Sequence, residues 1–150
     1  MGSLFDRDSG AEILRRVESL SSTSVARWGK MDGGQMLRHC CRPLQVALGE
    51  LTLKRAMIGY LFGGIAKRYL VNGNAPFRPN MPTASDFLVV DAQDFDEQQR
   101  ALLGLVRRLG EGGEEALTRD PHPLFGRMRP DEWDRLLWKH IDHHLRQFGA

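Results

Sequence analysis

Three of the five histidines fall within five residues near the C-terminus: His140, His143 and His144. Imidazole is a neutral nitrogen donor near pH 7, able to take a proton, give one, or ligate a borderline metal ion. His140 and His144 are four residues apart, and on a helix that spacing stacks both rings on one face, as helical metal sites do. At about 100° per residue, Trp133, Leu137, His140, His144 and Phe148 share one stripe. Arg135, Lys139, Asp142 and Arg146 share the opposite face, which the pattern assigns to solvent. His143 falls at the edge of the apolar stripe. Two imidazoles on a core-facing stripe need partners for their nitrogens, because an unpaired buried polar group costs stability. A third ligand has to come from another helix, and His39 is placed to supply it. It lies on the flank of an apolar arc made by Met36, Leu37, Cys40, Leu44, Ala47 and Leu48. Two other readings stay open: a pairing of His140 with His143 at i, i+3, and histidines that are only hydrogen-bonded members of a core.

Three neutral imidazoles suit zinc, nickel or iron(II) and leave at least one coordination position for water or a thiol. A divalent ion there lowers the pKa of what it binds and so prepares a nucleophile near neutral pH. No Ser/His/Asp or Cys/His arrangement competes with it, and the Gly-rich segments do not match a phosphate loop. Four residues are candidates for orienting a ligand ring or bordering the site. Gln147 follows His144 by three residues and His140 by seven. Asp32 precedes His39 by seven, although capping its helix already explains it. His143 and His122 complete the set, His122 as a loop or mouth residue. The only cysteines, Cys40 and Cys41, are adjacent. Neighbours cannot close an ordinary disulfide without strain, so they read as small buried helix residues in a reducing, cytoplasmic compartment.

Helices must position these groups. Asp8 and Ser9 offer caps for a first helix over roughly Gly10 to Leu20. Asp32 with Gln35 resembles a capping box opening a second, and Pro43 inside it predicts a kink or bulge at His39. Residues 52 to 71 suggest a third helix weakened by three glycines. Asn72 to Ser85 is a long irregular connection with three prolines, followed by a short extended run at Phe87 to Val90. Asp94 to Leu109 is a helix, Glu114 to Leu117 adds a turn, and Pro130 opens a last helix that Gly149 ends. The 150 residues fit one domain, 1–150. Net charge is +2 with both signs interspersed, which argues against nucleic acid. Lys54-Arg55, Lys67-Arg68 and Arg107-Arg108 read as solvated helix faces. No apolar run is long enough to span a membrane, and no membrane partner is expected. The fold class is all-α: a four-helix bundle with a long crossover and extra short helical or extended segments.

Trp28-Gly29-Lys30-Met31 and Gln35-Met36-Leu37-Arg38-His39-Cys40 resemble the second-helix signature of the DinB/YfiT-like superfamily. His122-Pro123, Phe125-Gly126, Glu132-Trp133 and Lys139-His140-Ile141-Asp142-His143-His144-Leu145-Arg146-Gln147-Phe148-Gly149 resemble its last helix. The nearest branch is one known only as a domain of unknown function. The resemblance implies a four-helix bundle whose three metal ligands fall on His39, His140 and His144. It further implies metal-dependent transferases of low-molecular-weight thiols, thiol-using isomerases or hydrolases, with frequent homodimers. One departure is Arg129, where a Ser or Thr cap is usual. The expectation is thus a metal-dependent enzyme acting on a small molecule, a thiol transferase or hydrolase. Its rival is a non-catalytic binding bundle whose metal is structural or vestigial.

Overall fold

A computed structural model describes residues 2–55 and 57–150. Met1, and Ala56 within the expected third helix, lie outside the described residues. Five α-helices are present among the described residues: α1 (Arg7–Glu18), α2 (Gly33–Ala47), α3 (Met57–Ala66), α4 (Phe95–Gly112) and α5 (Pro130–Gln147). No strand forms among the described residues, so the chain is an all-α bundle. Four helices make its core, in the order α1, α4, α2, α5 around the bundle.

Local chemistry sets most boundaries. The Asp6 carboxylate accepts from Ser9 N at 2.9 Å, so α1 begins earlier than the Asp8 and Ser9 caps predict. Asp32 and Gln35 form the expected reciprocal box, at 2.8 and 3.0 Å. Asp94 caps α4 through Glu97 N at 2.7 Å. At α5 the box is one-sided. Glu132 accepts from Arg129 N at 2.9 Å, but a guanidinium has no acceptor to return the bond. Pro130 supplies a pre-set φ at the first position, so the helix starts there without a Ser or Thr cap.

The structure sharpens three expectations. Of the kink or bulge predicted at His39, the bulge is absent: α2 continues as α-helix through Pro43 and packs on α4 and α5. The wide turn lies elsewhere, at Lys67–Val71, where α3 loosens into a π-type turn. The extended run expected at Phe87 to Val90 is a stretched loop: a 3-10 turn at Ser85–Phe87 runs into extended chain with no strand partner. The polar side of α5, finally, faces solvent only in part: Arg146 is exposed, but Lys139 and Asp142 are not. Lys139 and Asp142 are each 5% exposed. The Lys139 ammonium donates to Leu70 O (2.7 Å) and Gly73 O (3.0 Å), pinning the crossover. Asp142 accepts from Arg16 of α1 at 2.8 Å and pairs with Arg146 at 2.8 Å. Lys67 likewise reaches the buried Glu132 at 3.1 Å instead of solvent.

The core draws Ile13 and Val17 from α1 and Leu37, Cys41 and Leu44 from α2. From α4 and α5 it takes Leu102, Leu109, Trp133, Leu137, Ile141 and Leu145. Each of these large aliphatic or aromatic side chains contributes about 1.5–3 kcal/mol of transfer free energy when fully buried. Cys40 and Cys41 are buried free thiols within it. Burial pushes both thiols up, Cys41 to about 12, which makes them poor nucleophiles. Among the described residues no helix is long and apolar enough to cross a membrane.

Candidate metal centre

His39 on α2 and His140 and His144 on α5 converge. Their ring centroids form an equal triangle, 4.7 Å on each side. One ligand-capable atom from each lies within 4.8 Å of the others, and this is the one such group of three found among the described residues. The i, i+4 spacing stacks the two α5 rings, and the packing of α2 on α5 brings in the third.

The hydrogen bonds determine which nitrogens face inward. A carbonyl only accepts, so His39 Nδ1, 2.8 Å from Phe87 O, carries the hydrogen and leaves Nε2 as a lone pair. Gln147 Nε2 donates to Trp28 O at 2.6 Å, which orients the amide so that its Oε1 accepts from His144 Nδ1 at 2.7 Å. His144 Nε2 is therefore also a lone pair. His140 Nε2 sits 2.9 Å from His39 Nε2 and must carry the hydrogen between them. Its Nδ1 is buried with no partner, so the one bond to His39 is all that holds the tautomer. Burial lowers all three pKa values, His144 to about 3, with mutual repulsion adding to the effect at His140 and His144. The cluster is neutral near pH 7, the form that ligates metal.

A divalent ion fits this donor set. Two nitrogens held 2.0–2.1 Å from a tetrahedral ion lie about 3.4 Å apart. The observed 2.9 Å pair and the 4.8 Å ceiling bracket that value. Carbonyl or amide partners on the second nitrogens of His39 and His144 are the usual way metal-ligating rings are held. The three histidines could hold a metal ion.

The other candidate residues separate clearly. Gln147 is buried and holds His144. Its amide needs Gly29, whose φ is +83° and where an added Cβ would meet Gln147 Nε2 at 2.6 Å. Asp32 remains a helix cap; its carboxylate bonds Gln35 N and no histidine. His143 stands outside the triangle, its ring 5.6 Å from Trp28 and 6.1 Å from Phe77. The i, i+3 alternative therefore does not form the cluster. His122 lies in the loop before α5, only 5% exposed, with Phe125 and Trp133 rings 4.6 and 5.2 Å away. Two groups went unforeseen, the carbonyls of Phe87 and Trp28. Trp28-Gly29 stood out in the sequence, but nothing in either residue type announces a backbone oxygen aimed at a ring partner.

The cluster borders a cavity of about 530 Å³. Trp28, Phe77, Phe87, Leu124 and Leu136 contribute apolar walls, and the crossover from Leu70 to Leu88 supplies much of the rim.

Fold and site define an all-helical bundle protein with a buried three-histidine cluster able to hold a metal ion. Residues 4–150 match the family described as "Protein of unknown function (DUF1569)", and the chain belongs to that family. No curated protein and no solved structure matches it.

Proposed function

We propose that this protein is a metal-dependent enzyme of the DinB/YfiT-like type. It would use His39, His140 and His144 to hold a zinc, nickel or iron(II) ion and act as a low-molecular-weight thiol transferase or a hydrolase. One observation carries the reading: three neutral imidazoles, two with their lone pairs locked inward, meet at the border of a cavity large enough for a small molecule. When bound, such an ion supplies a lowered pKa to a water or thiol at its open position. The chain's own part is to position. Phe87 O and Gln147 keep two rings in register, and Trp28, Phe77 and Phe87 give the cavity beside them apolar walls. Buried Cys40 and Cys41 take no part.

The rival reading is a non-catalytic binding protein with a structural or vestigial metal. What favours it is the lack of any Asp or Glu among the residues lining the cavity, which leaves no carboxylate general base there.

Elemental analysis of protein purified without a metal-affinity step tests the proposal. About one equivalent of zinc, nickel or iron is expected, and removing it should lower the melting temperature, because a ligand of the folded state alone stabilises that state. His39→Ala, His140→Ala and His144→Ala should each lose most of the affinity, whereas His143→Ala should retain it. Loss of binding in His143→Ala but not His144→Ala would overturn the ligand assignment. Melting indifferent to all three ions would overturn the metal.

A further inference from the structure

His122 differs from the other histidines in how its ring is held. Its Nδ1 accepts from two backbone N–H groups, Leu124 at 3.0 Å and Phe125 at 3.2 Å. Both donors are obligatory, so Nδ1 cannot also carry a hydrogen, and the neutral ring must carry its hydrogen on Nε2. Burial pushes the pKa down to about 4, which keeps the ring neutral around pH 7. The loop is locked as well, by paired backbone bonds between His122 and Gly126 at 2.8 and 3.0 Å. Nε2 finds no protein partner among the described residues. It is also not among the buried polar atoms sealed from solvent. The open space beside His122 is the cavity bordered by the three-histidine cluster.

The charges around that cavity are one-sided. No Asp or Glu lines it, while Lys30 and Arg78 do. Both cations are exposed and neither has an ion-pair partner among the described residues. Across the crossover the bias continues: from Leu51 to Ser85 there is no acidic residue. A low-dielectric cleft lined by one sign of charge concentrates ligands of the opposite sign.

We propose that the cavity receives a small organic anion with an apolar body, its oxyanion accepting a hydrogen bond from His122 Nε2 within the field of Lys30 and Arg78. The inference rests on reading the cavity as a ligand site, but not on the ion. Fixing the donor in advance matters, since a group already oriented loses little freedom when it bonds and need not shed a proton to do so. The apolar walls take the body of the ligand.

Benzoate and benzamide, equal in shape and different in charge, are suitable probes. Calorimetric titration of chelator-treated, metal-free protein should show benzoate binding about tenfold tighter than benzamide, the scale of a hydrogen bond to a charged group. Added salt should narrow the gap. Arg78→Ala and Lys30→Ala, both at exposed side chains, should each weaken benzoate several-fold and leave benzamide unchanged. His122→Phe should reduce the preference to the part that Lys30 and Arg78 supply. Because that variant also removes an acceptor from the loop, nitrogen NMR of the unaltered protein provides a second readout. His122 should show the Nε2–H tautomer across neutral pH, and Nε2 should shift with benzoate but not with benzamide. Equal affinities for the two probes, no benzoate binding at millimolar concentration, or an Nδ1–H tautomer would each overturn the proposal. A benzoate preference in protein that takes up none of zinc, nickel and iron(II) would uphold this inference while sinking the metal reading. Zinc uptake with no benzoate preference would do the reverse.

Discussion

Helices α5 and α3 reverse each other. α5 carries ten charged or histidine side chains in eighteen residues, and it buries Glu132, Asp134, Lys139, Asp142 and His144. The segment MIGYLFGGIA of α3 carries none, yet Met57 is 77% exposed, Leu61 71% and Ile65 60%. The reason lies in what each backbone must touch. α3 turns its small face inward, so that Gly59 lies against the carbonyls of Pro123 and Leu124, where an added Cβ would meet Leu124 O at 2.8 Å. Gly63 meets the same carbonyl. With that face committed to a backbone contact, the large apolar side chains are left on the outer arc. α5 is enclosed by α1, α2 and the crossover, so Glu132, Asp134, Lys139, Asp142 and His144 are buried too, and each of these five finds a hydrogen-bond partner. Composition thus sets how much apolar surface a helix carries. It does not set which side is covered.

The largest test of this contrast is truncation. Leu137→Ala, at the enclosed side of α5, should cost about 2–5 kcal/mol by urea denaturation, the range for a buried leucine that leaves a cavity. A value near zero would mean α5 is not enclosed as described.

Acid should separate the two regions next. His122 has its pKa lowered to about 4 by burial, against 6.5 in an unfolded chain. Between those values the unfolded state binds more protons than the folded one, so stability falls as pH drops from 6.5 towards 4. His144, lowered to about 3 by burial and by the neighbouring His39, acts in the same direction and further into acid. At roughly 1.4 kcal/mol per unit, His122 alone contributes on the order of 3 kcal/mol across that window. Residues 57–71 contain no His, Asp or Glu. Hydrogen exchange from α3 should therefore be fast and nearly independent of this acid effect, while exchange from α5 follows global stability. Equal protection in α3 and α5 would remove the distinction.

A smaller effect is expected at Lys139. Lys139→Ala leaves Leu70 O and Gly73 O without their donor, a loss of about 1–3 kcal/mol. Crossover amides should then exchange faster. Smallest of all should be Leu61→Ser on the outer arc of α3, within about 0.5 kcal/mol of the parent protein. A cost comparable to Leu137→Ala would show that this arc is covered after all.

The site divides along similar lines. His140 and His144 were legible as a pair because a helix of 3.6 residues per turn leaves no choice about residues four apart. His39 was only a candidate, on the flank of its arc, until the packing of α2 on α5 closed the triangle. Gln147 was legible by the same rule, three residues from His144. Lys139 and Asp142 were misread as a solvent face, because periodicity shows that a helix has two sides but not that both are covered.

What the chain alone determined is therefore what depends on neighbours along it. That includes the Asp32–Gln35 box, the apolar stripes of α2, α4 and α5, the inert pair Cys40 and Cys41, and the shared face of His140 and His144. Local geometry ties each of these to a spacing of a few residues. Only the tertiary structure decided the rest: the carbonyl of Phe87 on His39, forty-eight positions away, and that of Trp28 on Gln147. It also decided the hydrogen on His122 Nε2 and the outward turn of α3. These rest on backbone groups, which every residue type carries alike, so no side-chain pattern can announce them.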